Sequence, residues 1–420
     1  MPVDTILRPS PGSVLTGARL FDGSSGELVT GHAVELDRQG TIVACGPEAD
    51  VVRDAAPDAR RIDLDGRVLS PGLINMHVHL GLALPGTAGD LVSRGTDGDL
   101  LLVMADSARR TLLAGVTTVR LVGESRYLDF ALRRGIHAGA IDGPRIFTAG
   151  HALCCTGGHG WESDALEGDG PDDFRRLARL QIREGADLIK VCVSGGIAGE
   201  HEQISTPQLF DDEMAAVIQV AHDWGRKVTA HVGPSSTLDR AIRLGLDCVE
   251  HGYELTRETT DLMAEHGVWY VPTISVSRCA DFFDEQGVPA WMKERALGAG
   301  PRHWESFENA IASGVKIAMG TDMPPAAGFD GTTATVREME FMVDAGMTPL
   351  EVMRSATSSA AELIGDESLG SIRVGARADF VAMPGDPTKD VSALRGIDWV
   401  MKDGRVYRDD RYRDSWETAR

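Results

Sequence analysis

Cysteine is scarce in this chain of 420 residues: six are scattered along it, without the Cys-x-x-Cys spacing of a zinc site. The sequence also lacks the dense cysteine framework of small secreted proteins, so we expect free thiols. No apolar run is long enough to span a bilayer, and residues 1–10 lack the apolar core of a secretory leader. These absences favour a cytoplasmic protein and argue against a membrane partner.

Positive charge is in short supply as well. The 63 acidic residues exceed the 42 basic ones and give a formal net charge of -21, spread without long blocks of one sign. Such a surface disfavours nucleic acid and other polyanions as partners. With 42% hydrophobic residues, the chain can bury a large core and form more than one domain. We expect a small molecule as its binding partner and a homo-oligomeric assembly.

Short strands separated by turns are predicted at both ends of the chain. The first segment predicts strands at 13–21, 32–37 and 41–45, and the last segment predicts them at 370–372, 378–383 and 399–407. Asp403-Gly404 inside the last of these is a hairpin turn signal. We expect the two ends, residues 1–70 and 365–420, to meet in one small β-sandwich beside a central domain formed by 71–364.

From about Pro71 the pattern changes to apolar strands that alternate with amphipathic helices, which is the signature of βα units around a parallel sheet. We predict eight strands, at 72–78, 117–122, 145–149, 187–193, 227–231, 247–251, 269–273 and 316–321. Helices are predicted between them at 101–113, 174–183, 207–224 and 303–312. This count indicates an α/β fold of the (β/α)8 TIM-barrel type, whose active sites lie at the C-terminal ends of the strands.

Two histidines, His77 and His79, end the first of these strands. Side chains two residues apart on an extended strand point to the same side, so both imidazoles can coordinate one metal ion. A lone His-x-His pair also arises by chance. The pair therefore indicates a metal site only if other ligands converge on it.

Four more polar side chains lie at or near the ends of other predicted strands: Lys190, His231, His251 and Asp322. Each has an ordinary explanation when it is taken alone. Lys190 could extend along the surface to solvent, and Asp322 could cap the next helix. His231 and His251 could be core histidines with satisfied hydrogen bonds. Together with the histidine pair, however, these groups are hard to explain as independent accidents, and they favour a metal centre.

The lysine is the least ordinary of these residues because it interrupts the apolar run Leu188-Ile189-Lys190-Val191-Cys192-Val193. A buried lysine is costly unless it is paired or neutral, and burial lowers the pKa of the amine. The free amine could react with carbon dioxide to form a carbamate. That reaction converts a cation into an anionic group that can bridge two metal ions.

Longer motifs resemble a known family. The chain resembles the amidohydrolase superfamily over nearly its whole length. The resemblance rests on the segments 71–79 (Pro-Gly-Leu-Ile-Asn-Met-His-Val-His) and 375–380 (Gly-Ala-Arg-Ala-Asp-Phe). It also rests on the order His-x-His, Lys, His, His, Asp of the candidate ligands. The segments 115–120, 156–160 and 190–196 resemble the branch that holds Xaa-Pro dipeptidase (prolidase)-like and imidazolonepropionase-related enzymes. Within this branch, the lysine favours the binuclear, prolidase-like side.

The resemblance implies two divalent metal ions and six residues that share the role of ligand. They are His77, His79 and Asp322 for one ion, His231 and His251 for the other, and carboxylated Lys190 as the bridge. The donors suit Zn²⁺, although Mn²⁺, Co²⁺ or Fe²⁺ would also fit them. A hydroxide held between the ions would be the nucleophile, and Asp322 would be catalytic by taking its proton and passing it to the leaving nitrogen.

The implied activity is metal-dependent hydrolysis of an amide C–N bond, in a dipeptide, an N-acyl amino acid or a related amide. One alternative is an aryl urea or carbamate hydrolase. Another is a cyclic amidohydrolase or deaminase, against which Lys190 argues because such relatives usually have a mononuclear site. The last is a non-catalytic scaffold protein, against which the intact ligand positions argue.

Two further residues are expected to meet the substrate. His159 follows a Gly-Gly turn beyond the third strand, from where it could bind a carboxylate or the carbonyl oxygen and act as a catalytic or binding residue. Tyr253, two residues past His251, could donate its hydroxyl to substrate or simply pack under a loop. Arg120, at the end of the second strand, is expected to form a structural salt bridge.

One position departs from the prolidase-like pattern. Relatives often continue after the strand-five histidine as His-Ala-Tyr or His-Ala-His, whereas this chain has His231-Val232-Gly233. Gly233 has no side chain to help hold a substrate carboxylate, which weakens the dipeptidase interpretation. A roomier pocket would suit aryl amides, ureas, carbamates or bulky N-acyl amino acids. Apolar residues that could line such a pocket are Trp161, Trp269, Met323 and Phe329.

Overall fold

The computed structural model describes residues 12–411. Its strands are β1 Ser13–Leu20, β2 Val29–Leu36, β3 Ile42–Pro47, β4 Arg60–Asp63, β5 Val68–Pro71, β6 Leu73–Val78, β7 Val116–Leu121, β8 Arg145–Thr148, β9 Ala152–Cys154, β10 Ala165–Glu167, β11 Leu188–Cys192, β12 Lys227–Pro234, β13 Cys248–Glu254, β14 Trp269–Val271, β15 Lys316–Ile317, β16 Gly328–Phe329, β17 Thr332–Thr333, β18 Phe380–Met383, β19 Trp399–Lys402 and β20 Arg405–Asp409.

The α-helices are α1 Glu48–Asp54, α2 Thr87–Arg94, α3 Asp97–Leu113, α4 Leu128–His137, α5 Gly170–Glu184, α6 Asp211–Asp223, α7 Ser235–Arg243, α8 Arg257–His266, α9 Ala280–Gln286, α10 Ala290–Ser313, α11 Ala334–Asp344, α12 Pro349–Ser355 and α13 Ser358–Ile364. Short 3₁₀ helices lie at Ser125–Tyr127, Ile274–Ser277 and Val391–Gly396.

The two ends of the chain share one eight-stranded sheet, in the order β20-β19-β18-β5-β1-β2-β3, with β4 paired to β1. The link between the ends is the antiparallel pairing of β18 with β5, in which Phe380 lies opposite Pro71. Successive residues of β1 face opposite sides of the sheet, so Leu15 and Val14 enter different apolar clusters. The expected meeting of the ends is confirmed, whereas a two-layer sandwich and the domain boundaries stay predictions.

The hairpin between β19 and β20 follows the turn signal. Asp403 and Gly404 both have positive φ, 47° and 72°, as a tight two-residue hairpin turn requires. By contrast, the strand expected at 370–372 is wrong. That segment makes a backbone hydrogen bond from Ile372 to Asp22 but lies in none of the described strands.

The central part of the fold is α/β with parallel sheets. One sheet has the order β6-β7-β8 and the other the order β10-β9-β11-β12-β13-β14-β15. A strand forms at each of the eight predicted places, namely β6, β7, β8 and β11 to β15. All six residues of β6 are buried, which explains why its sequence is almost continuously apolar.

Hydrogen bonds also link strands across the two parallel sheets. The Asp187 N–H, just before β11, donates to the Thr148 carbonyl at the end of β8 at 2.8 Å. The Met76 N–H in β6 donates to the Met319 carbonyl, two residues beyond β15, at 2.8 Å. Strand β15 is shorter than expected. Ala318 still donates to the Tyr270 carbonyl of β14, but Met319 donates to the Ser355 carbonyl at the end of α12 and Thr321 donates to the His77 carbonyl in β6.

The predicted helices are present with different ends. Helix α3 begins at Asp97, four residues earlier than expected. The Thr96 side chain accepts a hydrogen bond from the Asp99 N–H, and the Thr96 N–H donates to the Asp99 carboxylate, which together cap the helix. The expected helix at 303–312 is the last part of α10, which begins at Ala290, contains Pro301 and ends at Ser313. The glycines and the proline before residue 303 hide this longer helix from periodicity alone.

All six cysteines are free thiols, as expected. No helix within residues 12–411 is both long enough and apolar enough to cross a bilayer. Self-association and a cytoplasmic location stay predictions.

Candidate metal centre and active site

Three predicted ligands converge at the end of β6. His77 lies in the strand, His79 lies just past it, and Asp322 lies in the segment that follows β15. Oδ1 of Asp322 is 3.0 Å from Nε2 of His77 and 3.1 Å from Nε2 of His79. One donor atom from each residue lies within 4.8 Å of the others, a spacing that a single metal ion can bridge.

Asp322 is held in an unusual backbone conformation. Its φ is 57°, in the left-handed region, and its N–H donates to the His77 carbonyl at 2.9 Å. It caps no helix in the described part of the chain, since α11 begins at Ala334 behind Thr333. The helix-cap explanation is therefore wrong, and the strained backbone serves to aim the carboxylate at the histidines.

Electrostatics at this cluster favour a cation. Although burial opposes it, the hydrogen bond and the charge of Asp322 raise the pKa of His79 to about 9. Burial alone would raise the pKa of Asp322, but the adjacent imidazoles of His77 and His251 hold that pKa well below its usual range. The carboxylate is thus ionised and stabilises a proton or a metal ion beside it.

The other ring nitrogens of the two histidines are occupied. Nδ1 of His79 is 2.7 Å from the Gly123 carbonyl, which can only accept, so this nitrogen carries a proton. Nδ1 of His77 is 2.7 Å from Oε2 of Glu250. Both histidines therefore present Nε2 to the cluster, in the orientation that outer hydrogen bonds impose on metal-ligating histidines.

Glu250 is a residue that sequence reasoning missed. It is completely buried and accepts hydrogen bonds from Arg120, from Thr229 and from His77. Burial would raise its pKa, but the Arg120 guanidinium and the His77 imidazole lower it well below the usual range. The salt bridge expected for Arg120 is confirmed, and its partner is the carboxylate that orients His77.

Replacing Arg120 with Leu should lower the free energy of unfolding by about 3–5 kcal/mol, because Glu250 would be left as a buried charge without its main partner. Chemical denaturation measures the loss. The matched control is Arg175→Leu, which breaks an exposed pair with Asp172 and should cost no more than about 1 kcal/mol. Equal losses in the two variants would show that the Arg120–Glu250 pair is energetically ordinary.

His231 and His251 lie beside the three-residue cluster. The ring of His251 is 4.8 Å from that of His77 and 4.6 Å from that of His231. Nδ1 of His251 contacts Oγ1 of Thr273 at 2.8 Å, and Nε2 of His231 contacts the Gly195 carbonyl at 3.1 Å. Burial is the main reason that the pKa of each is well below its usual value, so both imidazoles are neutral. Neutral imidazoles suit either metal ligation or a satisfied core position.

Lys190 lies in β11 and is only 4% exposed, so the alternative that it extends to solvent is wrong. Among the described residues, its side chain makes no hydrogen bond and no ion pair within 4.0 Å. Strand β11 pairs directly with β12, and Cys192, two residues past Lys190, lies opposite His231.

Both residues expected to meet the substrate face the same cavity. The ring of His159 stacks on that of His231 at 3.9 Å, and its Nδ1 is 2.6 Å from Oε1 of Glu202. Tyr253 is 1% exposed and stacks on His251 at 5.3 Å. Burial keeps the pKa of Tyr253 well above its usual value, so its hydroxyl stays protonated and can donate.

The cavity has a volume of about 770 Å³, which is typical of small-molecule sites. Its floor includes His79, His159, His231, Tyr253 and Asp322. The segments after β7 and β8 supply a polar side that includes Glu124, Ser125, Arg126, His151 and Asp164. An apolar side is formed by Leu82, Leu84, Ile197, Val276, Phe282, Phe283 and Met323.

The expected apolar lining is half correct. Trp161 and Met323 line this cavity. Trp269 instead lines a separate small cavity with Lys227, at the opposite end of the strands, because it begins β14 rather than ending it. Phe329 packs edge-on against Phe341 at 5.9 Å. Loop position alone did not distinguish lining residues from packing residues.

Comparison with known proteins places the chain in a family. A model of the Amidohydrolase family matches residues 68–407. The chain belongs to this family. It is 29% identical over 430 residues to ochratoxinase of Aspergillus niger, a match that covers 91% of this chain and 86% of that protein. It is 26% identical over 419 residues to imidazolonepropionase of Geobacillus kaustophilus, covering 88% and 90% of the two chains.

A solved structure supports the same placement. The crystal structure of a Xaa-Pro dipeptidase with methionine bound in its active site has a TM-score of 0.82 and 31% identity, over 94% of this chain and 100% of that one. The resemblance to this superfamily, with its prolidase and imidazolonepropionase members, is confirmed. This amidohydrolase is an enzyme that acts on carbon–nitrogen bonds.

Gly233 has a structural reason in this amidohydrolase. A Cβ at this position would overlap the backbone and side chain of Ile204. The segment after β11 therefore occupies the space that a side chain at 233 would need.

Proposed function

We propose that this amidohydrolase is a binuclear metal-dependent hydrolase that cleaves the amide bond of a dipeptide, an N-acyl amino acid or a related amide with a bulky apolar group. The observation that carries the proposal is the convergence of His77, His79 and Asp322 on one point, where His79 and Asp322 line a cavity large enough for such a substrate. General amide hydrolysis agrees with the family and with the named relatives.

We infer that the two parallel sheets form one closed (β/α)8 barrel, with the shared terminal sheet as a β-sandwich domain and boundaries near residues 70 and 365. The hydrogen bonds from Asp187 to Thr148 and from Met76 to Met319 support closure, because they join the third strand to the fourth and the first to the eighth. In such a barrel the cluster lies where active sites lie, at the C-terminal ends of the strands.

The donor set suits two divalent zinc ions, because imidazole and carboxylate are ligands that Zn²⁺ takes. His77, His79 and Asp322 would hold one ion, and His231 and His251 the other. Lys190, which is 4% exposed in β11, would carry the carbamate that bridges them. Bound metal would supply a hydroxide nucleophile at neutral pH and polarise the scissile carbonyl.

The protein's own groups handle protons and orientation. Asp322, an ionised carboxylate at the histidines, takes the proton of the nucleophile and delivers it to the leaving nitrogen. His159 presents a ring nitrogen to the substrate, and Tyr253 presents a hydroxyl donor, because both residues line the cavity. The apolar side of the cavity, with Phe282 and Phe283, binds the bulky group and excludes water.

The substrate class is tested with a panel of small dipeptides, N-acyl amino acids with aromatic or aliphatic acyl groups, and aryl ureas and carbamates. We expect kcat/KM to rise with apolar volume among the amides, by roughly 10-fold or more per added aromatic ring, since buried apolar area contributes about 25 cal/mol per Å². Hydrolysis of ureas alone would overturn the amide assignment. Deamination of heterocycles with no amide turnover would favour the mononuclear alternative.

A further inference from the structure

The ring of His159 is enclosed on two faces. One face stacks on His231 with ring centroids 3.9 Å apart and planes inclined by 21°. Gly196, in the segment after β11, lies against the ring. A Cβ at this position would be 2.3 to 2.8 Å from Cε1, Nδ1 and Nε2 of His159, so only glycine fits there. This packing leaves the imidazole little freedom to tilt or to turn over.

Glu202 contacts the edge of that ring. It is 6% exposed, and its Oε1 lies 2.6 Å from Nδ1 of His159 and 2.9 Å from the backbone nitrogen of Gly199. Its Oε2 accepts a hydrogen bond from Nε2 of Gln208 at 3.0 Å. Burial would raise the pKa of Glu202, but His159 and these hydrogen bonds lower it. An ionised carboxylate can only accept, so Nδ1 of His159 carries a proton.

The second ring nitrogen has a different environment. Nε2 of His159 makes no hydrogen bond to any residue between 12 and 411, and His159 lines the catalytic cavity. A histidine whose Nδ1–H is held by a carboxylate has its tautomer and ring orientation set by that bond. Catalytic imidazoles in other enzymes are oriented in the same way, by a carboxylate that accepts the Nδ1–H and does not touch the substrate.

We propose that Glu202 is a positioning residue: it fixes the proton of His159 on Nδ1 and thereby presents Nε2 as the ring nitrogen that meets the substrate. The proposal rests on the proposed function for the identity of the substrate, but the tautomer itself does not depend on it. Glu202 also stabilises the segment 196–208 through its hydrogen bonds with Gly199 and Gln208. If its role were purely structural, it would stabilise this segment without affecting the tautomer of His159.

Two kinds of variant separate these roles. Glu202→Ala removes the acceptor, and Glu202→Met keeps the side-chain volume while removing the acceptor, which serves if the alanine variant folds poorly. Gln208→Ala is the matched control, because Gln208 contacts Glu202 and the His159 backbone nitrogen but not the His159 ring. Thermal unfolding confirms that each variant is folded.

The first readout is ¹⁵N NMR of protein labelled at histidine, with the His159 signals assigned by their loss in His159→Ala. We expect the Nδ1–H form in the wild type and in Gln208→Ala, and a shift towards the Nε2–H form in Glu202→Ala or Glu202→Met. An unchanged tautomer in the Glu202 variants would overturn the proposal. This result is independent of whether any amide is a substrate, so it is distinguishable from failure of the proposed function.

The second readout is a double-mutant cycle on kcat with any amide that the enzyme turns over. Glu202→Ala should lower kcat about 10- to 100-fold, the usual effect of losing an outer partner of an active-site group. Added to His159→Ala, it should change kcat by less than about 3-fold, because the residue through which it acts is already gone. Fully additive losses would show that Glu202 acts by bracing the segment and would reject the positioning role.

Discussion

Replacing Asp322 with Asn should lower kcat by about 10²- to 10⁴-fold, the range that a positioned proton-transfer group contributes. The amide of asparagine has nearly the same shape and tolerates the left-handed backbone at this position, where φ is 57°. It cannot accept the proton of the nucleophile, however, and it removes the negative charge beside His77 and His79. The folded structure should therefore persist while turnover is lost.

The matched control is Asp330→Asn. Asp330 lies in the turn between β16 and β17, also has a positive φ, of 46°, and pairs its exposed carboxylate with Arg337 at 3.6 Å. This variant should keep wild-type kcat. Steady-state kinetics and metal analysis of both variants separate loss of proton transfer from loss of metal. An Asp322→Asn enzyme with full metal content and full activity would remove Asp322 as the proton carrier.

Replacing Lys190 with Ala should remove one of two bound metal ions and lower kcat by more than the roughly 100-fold that loss of an outer partner costs. The reason is that Lys190 lies buried in β11, next to the strand β12 that carries His231, and a carbamate formed on its amine would be shared between the ions. Without the bridge, the two neutral histidines are a weak site for a divalent ion. Metal content and kcat are measured on the same preparation.

A second strand lysine provides the control for Lys190. Lys227 begins β12 at the opposite end of the strands, where its amine donates to the Leu363 carbonyl. Lys227→Ala should keep the metal content and activity of the wild type. In ¹³C-bicarbonate, the wild type should show a carbamate signal that Lys190→Ala lacks. A Lys190→Ala protein with unchanged metal and activity would reject the bridging role.

The strand framework was predictable because the central strands are buried on both faces. Burial of every residue in β6 and in β11 requires continuous apolar runs, which stand out against amphipathic helices. The polar residues that interrupt such runs, His77 and Lys190 among them, are visible for the same reason. The resemblance to the amidohydrolase superfamily then assigned them roles that spacing alone could not.

The outer partners of the site were not predictable in this way. Neighbouring residues of a strand normally face opposite sides, so Glu250 and His251 were not expected to contact the same histidine. The positive φ of His251, 64°, breaks the alternation and allows both to approach His77. The only sequence signal for Glu250 was Arg120, a buried cation that required an anion nearby.

Loop residues were harder still. Glu202 lies in a segment with no helix or strand pattern, and its contact with His159 joins residues 43 positions apart. Two glycines, Gly196 and Gly199, make room for that contact. In the sequence they indicate only flexible positions. Likewise, the sequence showed that Gly233 lacks a side chain, whereas the reason, the close approach of Ile204, depends on tertiary packing.

The central claim is that six residues of this amidohydrolase hold two metal ions, and metal counting tests it most directly. Purified wild-type protein, loaded with Zn²⁺ and bicarbonate and then dialysed, should contain about two zinc ions per chain by elemental analysis, as a two-metal hydrolytic site requires. A chain that retains one ion would contradict the binuclear site. A chain that retains none would contradict the metal-dependent mechanism altogether.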